Sequence, residues 1–97
     1  MIRQGDLLFV KCDCIPEGSV EQSDGVIARG ESTGHAHRIA DHKQALLMLC
    51  AGVMYVKALR DTQIKHEEHH EVILPAGDWI VRRQREYQPD GWKQVAD

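Results

Sequence analysis

Apolar positions along this chain come in short runs punctuated by glycine and proline, and they do not keep the three-to-four spacing of an amphipathic helix. Leu7–Lys11 is such a run, led by Gly5-Asp6 and followed by the turn-forming Pro16-Glu-Gly18. Gly25–Arg29 reads as a second short strand closed by Gly30, and Gly34 introduces a third over His35–Ile39. Leu46–Cys50 and Val53–Leu59 are separated only by Ala51-Gly52, so a tight hairpin is preferred over a helix spanning 43–50. Ile64, His66, Glu68, His70, Val72 and Leu74 alternate with Lys65, Glu67, His69, Glu71 and Ile73, which predicts a period-two strand whose first set faces inward. Pro75-Ala-Gly77 then turns the chain into a long strand over Asp78–Tyr87, with Trp79, Val81, Arg83, Arg85 and Tyr87 on one face and Pro89-Asp-Gly91 at its end.

Six to eight short strands at regular spacing predict an all-β fold: a small barrel, sandwich or β-clip-like sheet forming a single domain over residues 1–97. A length of 97 residues leaves no space for a second large domain, and 42% hydrophobic with 28% charged residues excludes a disordered or collagen-like chain. Only 5% of residues are aromatic, with one phenylalanine, so the core must be thin and built from Leu, Ile, Val, Ala and Met. A homodimeric partner or a bound metal would reinforce it. A net charge of −3 provides no global field towards phosphate backbones or anionic membranes, so nucleic acid would need a local basic patch. No apolar run approaches the length of a membrane span, and the first residues lack a secretory core. Together with an odd count of three cysteines, this points to a reducing, cytoplasmic setting, in which Cys12 and Cys14 read as small, buried or half-buried hydrophobes.

Histidine is the unusual residue: six occur, and all but His42 fall into two clusters. On a strand, His35 and His37 project from one face a single pleat apart, the placement two ligands of one metal ion need. In His66-Glu-Glu-His-His70, strand geometry puts His66, Glu68 and His70 on one face. Two or three imidazoles plus a carboxylate suit a divalent metal, zinc first, with Glu31, Glu67 or Glu68 as a base for metal-activated water. The spacing leaves open which of His66, His69 and His70 completes the set. The same segment matches H-E-x-x-H, but its flanks are β-branched or end in proline and do not support the helix that motif requires. The expected metal ligands are therefore His35, His37, His66 and His70, in a site able to support hydrolysis of an ester, amide or phosphodiester. The alternative is a non-enzymatic module that contacts nucleic acid or a protein partner through Arg82, Arg83, Arg85 and Tyr87.

Gly30-Glu-Ser-Thr-Gly-His-Ala-His37, His66-Glu-Glu-His-His70, Leu74-Pro-Ala-Gly77 and Gln84-Arg-Glu-Tyr87 resemble segments of a group of short, uncharacterised bacterial and phage-associated proteins. That resemblance spans most of the chain and implies no activity and no catalytic residue. Gly5-Asp-Leu-Leu-Phe-Val10 also resembles the opening strand of β-clip peptidase domains, without counterparts of their Ser and Lys, so the likeness concerns architecture only.

Overall fold

The computed structural model describes residues 1–29 and 34–84, and within them the chain forms ten strands and no α-helix. The strands are β1 (Ile2–Gln4), β2 (Leu7–Cys12), β3 (Val20–Gln22), β4 (Val26–Arg29), β5 (Ala36–Ile39), β6 (Ala45–Cys50), β7 (Val53–Ala58), β8 (Thr62–Lys65), β9 (Val72–Leu74) and β10 (Gly77–Arg83). They build two antiparallel sheets, one in the order β1-β2-β10-β7-β6-β3 and the other β4-β5-β8-β9. The fold is all-β and sandwich-like; it is not a closed barrel, and its strands outnumber the expected six to eight. The excess comes from two very short elements, β1 and β3, whose lengths are too small for a period to register, and from the division of the 64–74 segment.

Period-two alternation carries most of the core. Phe9, Leu47, Val56 and Trp79 of the larger sheet and Ile27, Ile39, Ile64 and Leu74 of the smaller one belong to a single buried cluster shared by both sheets. Trp79 keeps its polar edge satisfied by donating from Nε1 to the carbonyl of Pro75 at 2.9 Å. The β6–β7 hairpin forms as the Ala51-Gly52 spacer implies: Cys50 pairs with Val53, and both turn residues have positive φ, 50° and 79°. A two-residue turn matched to the strand twist demands those angles, and Ala51 meets the demand against its own preference.

Two expectations change, and a third is met only as far as the described residues reach. The 64–74 segment is not one strand: it breaks after Lys65, and residues 66–71 form a loop before β9. The break has a local cause, because Nδ1 of His66 accepts the backbone N–H groups of Glu68 at 3.1 Å and His69 at 3.4 Å, curling the chain around that ring. A helical H-E-x-x-H arrangement is excluded by the same geometry. Second, Cys14 lies beyond the end of β2 and is exposed, whereas Cys12 is half-buried. Third, the long strand over 78–87 is described as far as Arg83, and Arg85 and Tyr87 lie outside the described residues, as does Glu31. No helix among the described residues is long and apolar enough to cross a membrane.

Candidate functional site

The inward-facing column of the smaller sheet is apolar over most of its length and ends in imidazoles. Ile39 pairs with Ile64 and Arg38 with Lys65, so the antiparallel register carries His37 opposite His66 one step further on. Their ring centroids are 4.4 Å apart. The curled loop brings His69 to 4.6 Å from His66 and 6.3 Å from His37, and His35 lies 5.7 Å from His66 in an edge-on arrangement. Four imidazoles thus converge at one end of the sandwich. His70 is exposed, and the part of it that reaches the interior is its backbone carbonyl.

The larger sheet closes the site from the other side. Gly5, with φ of 58°, makes the tight turn between β1 and β2, and the residues flanking it, Gln4 and Asp6, are both buried. Gln4 Oε1 lies 2.8 Å from His37 Nδ1, and the Gln4 amide nitrogen donates to the carbonyls of Ile64 at 2.8 Å and His70 at 2.9 Å. Asp6 Oδ1 faces His37 Nε2 at 3.4 Å, and Asp6 Oδ2 accepts from Arg83 at 2.7 Å. His37 is thereby held between a carboxamide and a carboxylate with 1% of its surface exposed. Burial lowers its pKa from 6.5 to about 4; the repulsion that would arise were His66 protonated as well acts in the same direction, and Asp6 opposes both. The ring is therefore neutral at pH 7.

Two buried polar atoms at this point have no hydrogen-bond partner among the described residues: Asp6 Oδ1 and His69 Nε2. Because His66 Nδ1 accepts two backbone N–H groups, the neutral ring carries its proton on Nε2, and that edge is also buried. As the side chains stand, no group of three or more His, Cys, Asp and Glu residues among the described residues is set to hold a metal ion.

The glutamates lie at the rim. Glu67 accepts the Ala36 N–H on Oε2 at 3.0 Å, and its Oε1 lies 3.4 Å from an Arg38 nitrogen. The bonds from the backbone N–H groups of Ala36 and of Glu67 itself, with the Arg38 charge, lower its pKa. Glu68 is more open, and its Oε1 sits 3.1 Å from His35 Nδ1. A shallow groove of about 240 Å³ lined by Ala36, Arg38, Lys65, His66 and Glu67 connects this rim to solvent.

The arginine-rich strand divides between two environments. Arg83 is turned inward, with one nitrogen on Asp6 and another donating to the Arg29 carbonyl at 2.9 Å, so its guanidinium ties β10 to the end of β4 in the opposite sheet. Arg82 borders a depression otherwise lined largely by apolar side chains, among them Ile27, Val53, Met54 and Val81. Gln4, Asp6 and His69 are the site residues that strand period did not single out. The Gln-Gly-Asp turn is the one sequence signal for the first two, since its glycine marks a tight turn with a polar residue on each side of it.

No curated protein and no solved structure matches the chain. A family model does match, over residues 3–84, a span that holds every described residue of the site. The chain belongs to the family described as Domain of unknown function (DUF8820).

Proposed function

We propose that this chain is a small metal-binding protein, with a divalent transition metal, zinc first, held by His37, His69 and Asp6 at the imidazole-lined end of the sandwich. The observation that carries the reading is a pair of electron-pair donors facing each other inside the protein. Asp6 Oδ1, with no hydrogen-bond donor, lies 3.4 Å from the Nε2 of a neutral, fully buried His37, and a buried His69 Nε2 without a partner belongs to the same cluster. Buried acceptors left in this way cost about 1–3 kcal/mol each, and a cation between them removes that cost. Two imidazoles and one carboxylate form a mixed N/O set that suits zinc and also accommodates Fe, Mn or Ni.

Ring centroids of two histidines on one tetrahedral zinc are separated by about 5 Å, given zinc–nitrogen distances of about 2 Å. The His37 and His69 rings, 6.3 Å apart, stand just over 1 Å wider than that. Metal binding then requires ring rotation and a small shift of the 66–71 loop, without rearrangement of the sheets. His66, with its proton on Nε2, serves as a hydrogen-bond donor into the site. Were the metal to activate water for hydrolysis, Glu68 would be the better placed base, because Glu67 is already engaged by Ala36 and Arg38.

Untagged protein stripped of metal and titrated with Zn²⁺ or Co²⁺ tests the proposal. One equivalent is expected to bind, His37→Ala and His69→Ala are expected to abolish binding, and His70→Ala is expected to retain it. Absence of binding at micromolar metal, or equal losses in His69→Ala and His70→Ala, would overturn the reading.

A further inference from the structure

We infer that Gln4 is a positioning residue that locks His37 in the Nδ1–H tautomer and so presents the Nε2 electron pair to the interior of the site. The two ends of the Gln4 amide differ: the nitrogen only donates and the oxygen only accepts. Gln4 Nε2 lies within hydrogen-bond distance of two backbone carbonyl oxygens, Ile64 at 2.8 Å and His70 at 2.9 Å, neither of which can donate. Both amide protons are therefore used, and the flipped amide would set an oxygen against two oxygens in a buried place. The remaining end, Oε1, faces His37 Nδ1 at 2.8 Å and can only accept. His37 must then carry its proton on Nδ1, and a neutral ring has just one to carry. Nε2 is left with a bare electron pair, directed towards Asp6 Oδ1.

His66 shows the opposite assignment. Its Nδ1 accepts from Glu68 and His69, so its proton sits on Nε2. Two rings with centroids 4.4 Å apart thus carry complementary tautomers, one offering an electron pair and the other a proton, each set by a different part of the backbone. For His37 the setting is long-range: a residue on β1 reads two carbonyls on and after β8 and passes that orientation to a ring on β5. A ligand histidine whose second nitrogen is fixed in this manner has both ring orientation and basicity predetermined, and loss of such a partner weakens metal binding by about 10- to 100-fold.

The metal consequence rests on the function proposed above, whereas the tautomer assignment does not, and the experiment separates them. Two-bond ¹H–¹⁵N correlation spectra of ¹⁵N-labelled, metal-free protein at neutral pH distinguish protonated from bare ring nitrogens. Wild-type His37 is expected to be a single Nδ1–H tautomer, with His66 in the Nε2–H form. Gln4→Met, which retains volume and removes the acceptor, is expected to convert His37 to a mixture or to the other tautomer and to weaken Zn²⁺ binding about 10- to 100-fold. An Nε2–H tautomer of His37 in the wild type overturns the inference even if the variant does not fold. So does a His37 that remains purely Nδ1–H in Gln4→Met. A wild type with the expected tautomers that binds no Zn²⁺ supports the positioning role of Gln4 and removes the metal function alone.

Discussion

Replacing Arg83 with leucine tests the connection between the two sheets and the environment of Asp6 together. The Asp6 carboxylate is 7% exposed and the Arg83 side chain 21%, and their 2.7 Å bond joins residues 77 positions apart. Removing the guanidinium leaves a buried carboxylate without its cation and also removes the bond to the Arg29 carbonyl. Breaking a fully buried pair costs about 3–5 kcal/mol, and the partial exposure of Arg83 places this case at the lower end. The lost carbonyl bond contributes about 1 kcal/mol. Arg83→Leu is thus expected to destabilise the metal-free protein by about 4 kcal/mol, a large share of the stability of so small a domain. For a chain of this length that lowers the melting temperature by about 20 °C. Urea denaturation followed by far-UV circular dichroism gives the value, and the double variant Asp6→Leu/Arg83→Leu is expected to recover at least about 1 kcal/mol, because it removes the buried charge along with its partner. A loss under about 1 kcal/mol in Arg83→Leu, with no coupling in the double variant, would refute the reasoning. It would also return Arg83 to solvent, where contact with phosphate becomes available to it.

Two further predictions concern protonation and turn geometry. The pKa of His37 falls from 6.5 when unfolded to about 4 when folded, so between those values the unfolded chain binds a proton that the native chain does not. Stability of the metal-free protein is therefore expected to be full above pH 6.5 and to decline as pH falls towards 4, by about 3 kcal/mol from this group; urea midpoints measured across that range in wild type and His37→Gln check it, and an equal slope in both would remove His37 as the cause. Ala51→Asn is expected to stabilise the fold by about 0.5–1 kcal/mol, since asparagine tolerates the positive φ of 50° that alanine resists; an unchanged or lower melting temperature would show that the turn does not bear that strain.

Much of the fold is legible along the chain, and the reason is that strand and turn signals are local. Ala45–Cys50, Ala51-Gly52 and Val53–Ala58 can be read as a hairpin because alternation and turn chemistry act over two to four residues. The same locality misled at 64–74. The alternation there continues through His66, Glu68 and His70, but the His66 ring captures two backbone N–H groups and bends the chain, a competing use of the backbone that period alone cannot reveal. His69 thereby enters the cluster and His70 turns outward. Arg83 shows a related limit: its inward side of β10 follows from alternation with Trp79 and Val81, whereas its partner does not, because the carboxylate comes from the β1–β2 turn.

From residue order alone come the all-β class, the approximate strand positions, the central hairpin and the grouping of His35, His37 and His66 as candidates for one site. These follow from periods, turn residues and composition, which involve neighbours in sequence. The tertiary structure alone decides that the strands form a sandwich, that Gln4 and Asp6 hold His37 from the opposite sheet, and that His69 lies in the ring cluster. Gln4 and His37 are 33 positions apart, and Asp6 and Arg83 are 77 apart. Such pairs form because burying two apolar sheet faces against each other brings particular ends of particular strands together. Nothing in the spacing of a single strand specifies which polar residues will be enclosed when those faces meet.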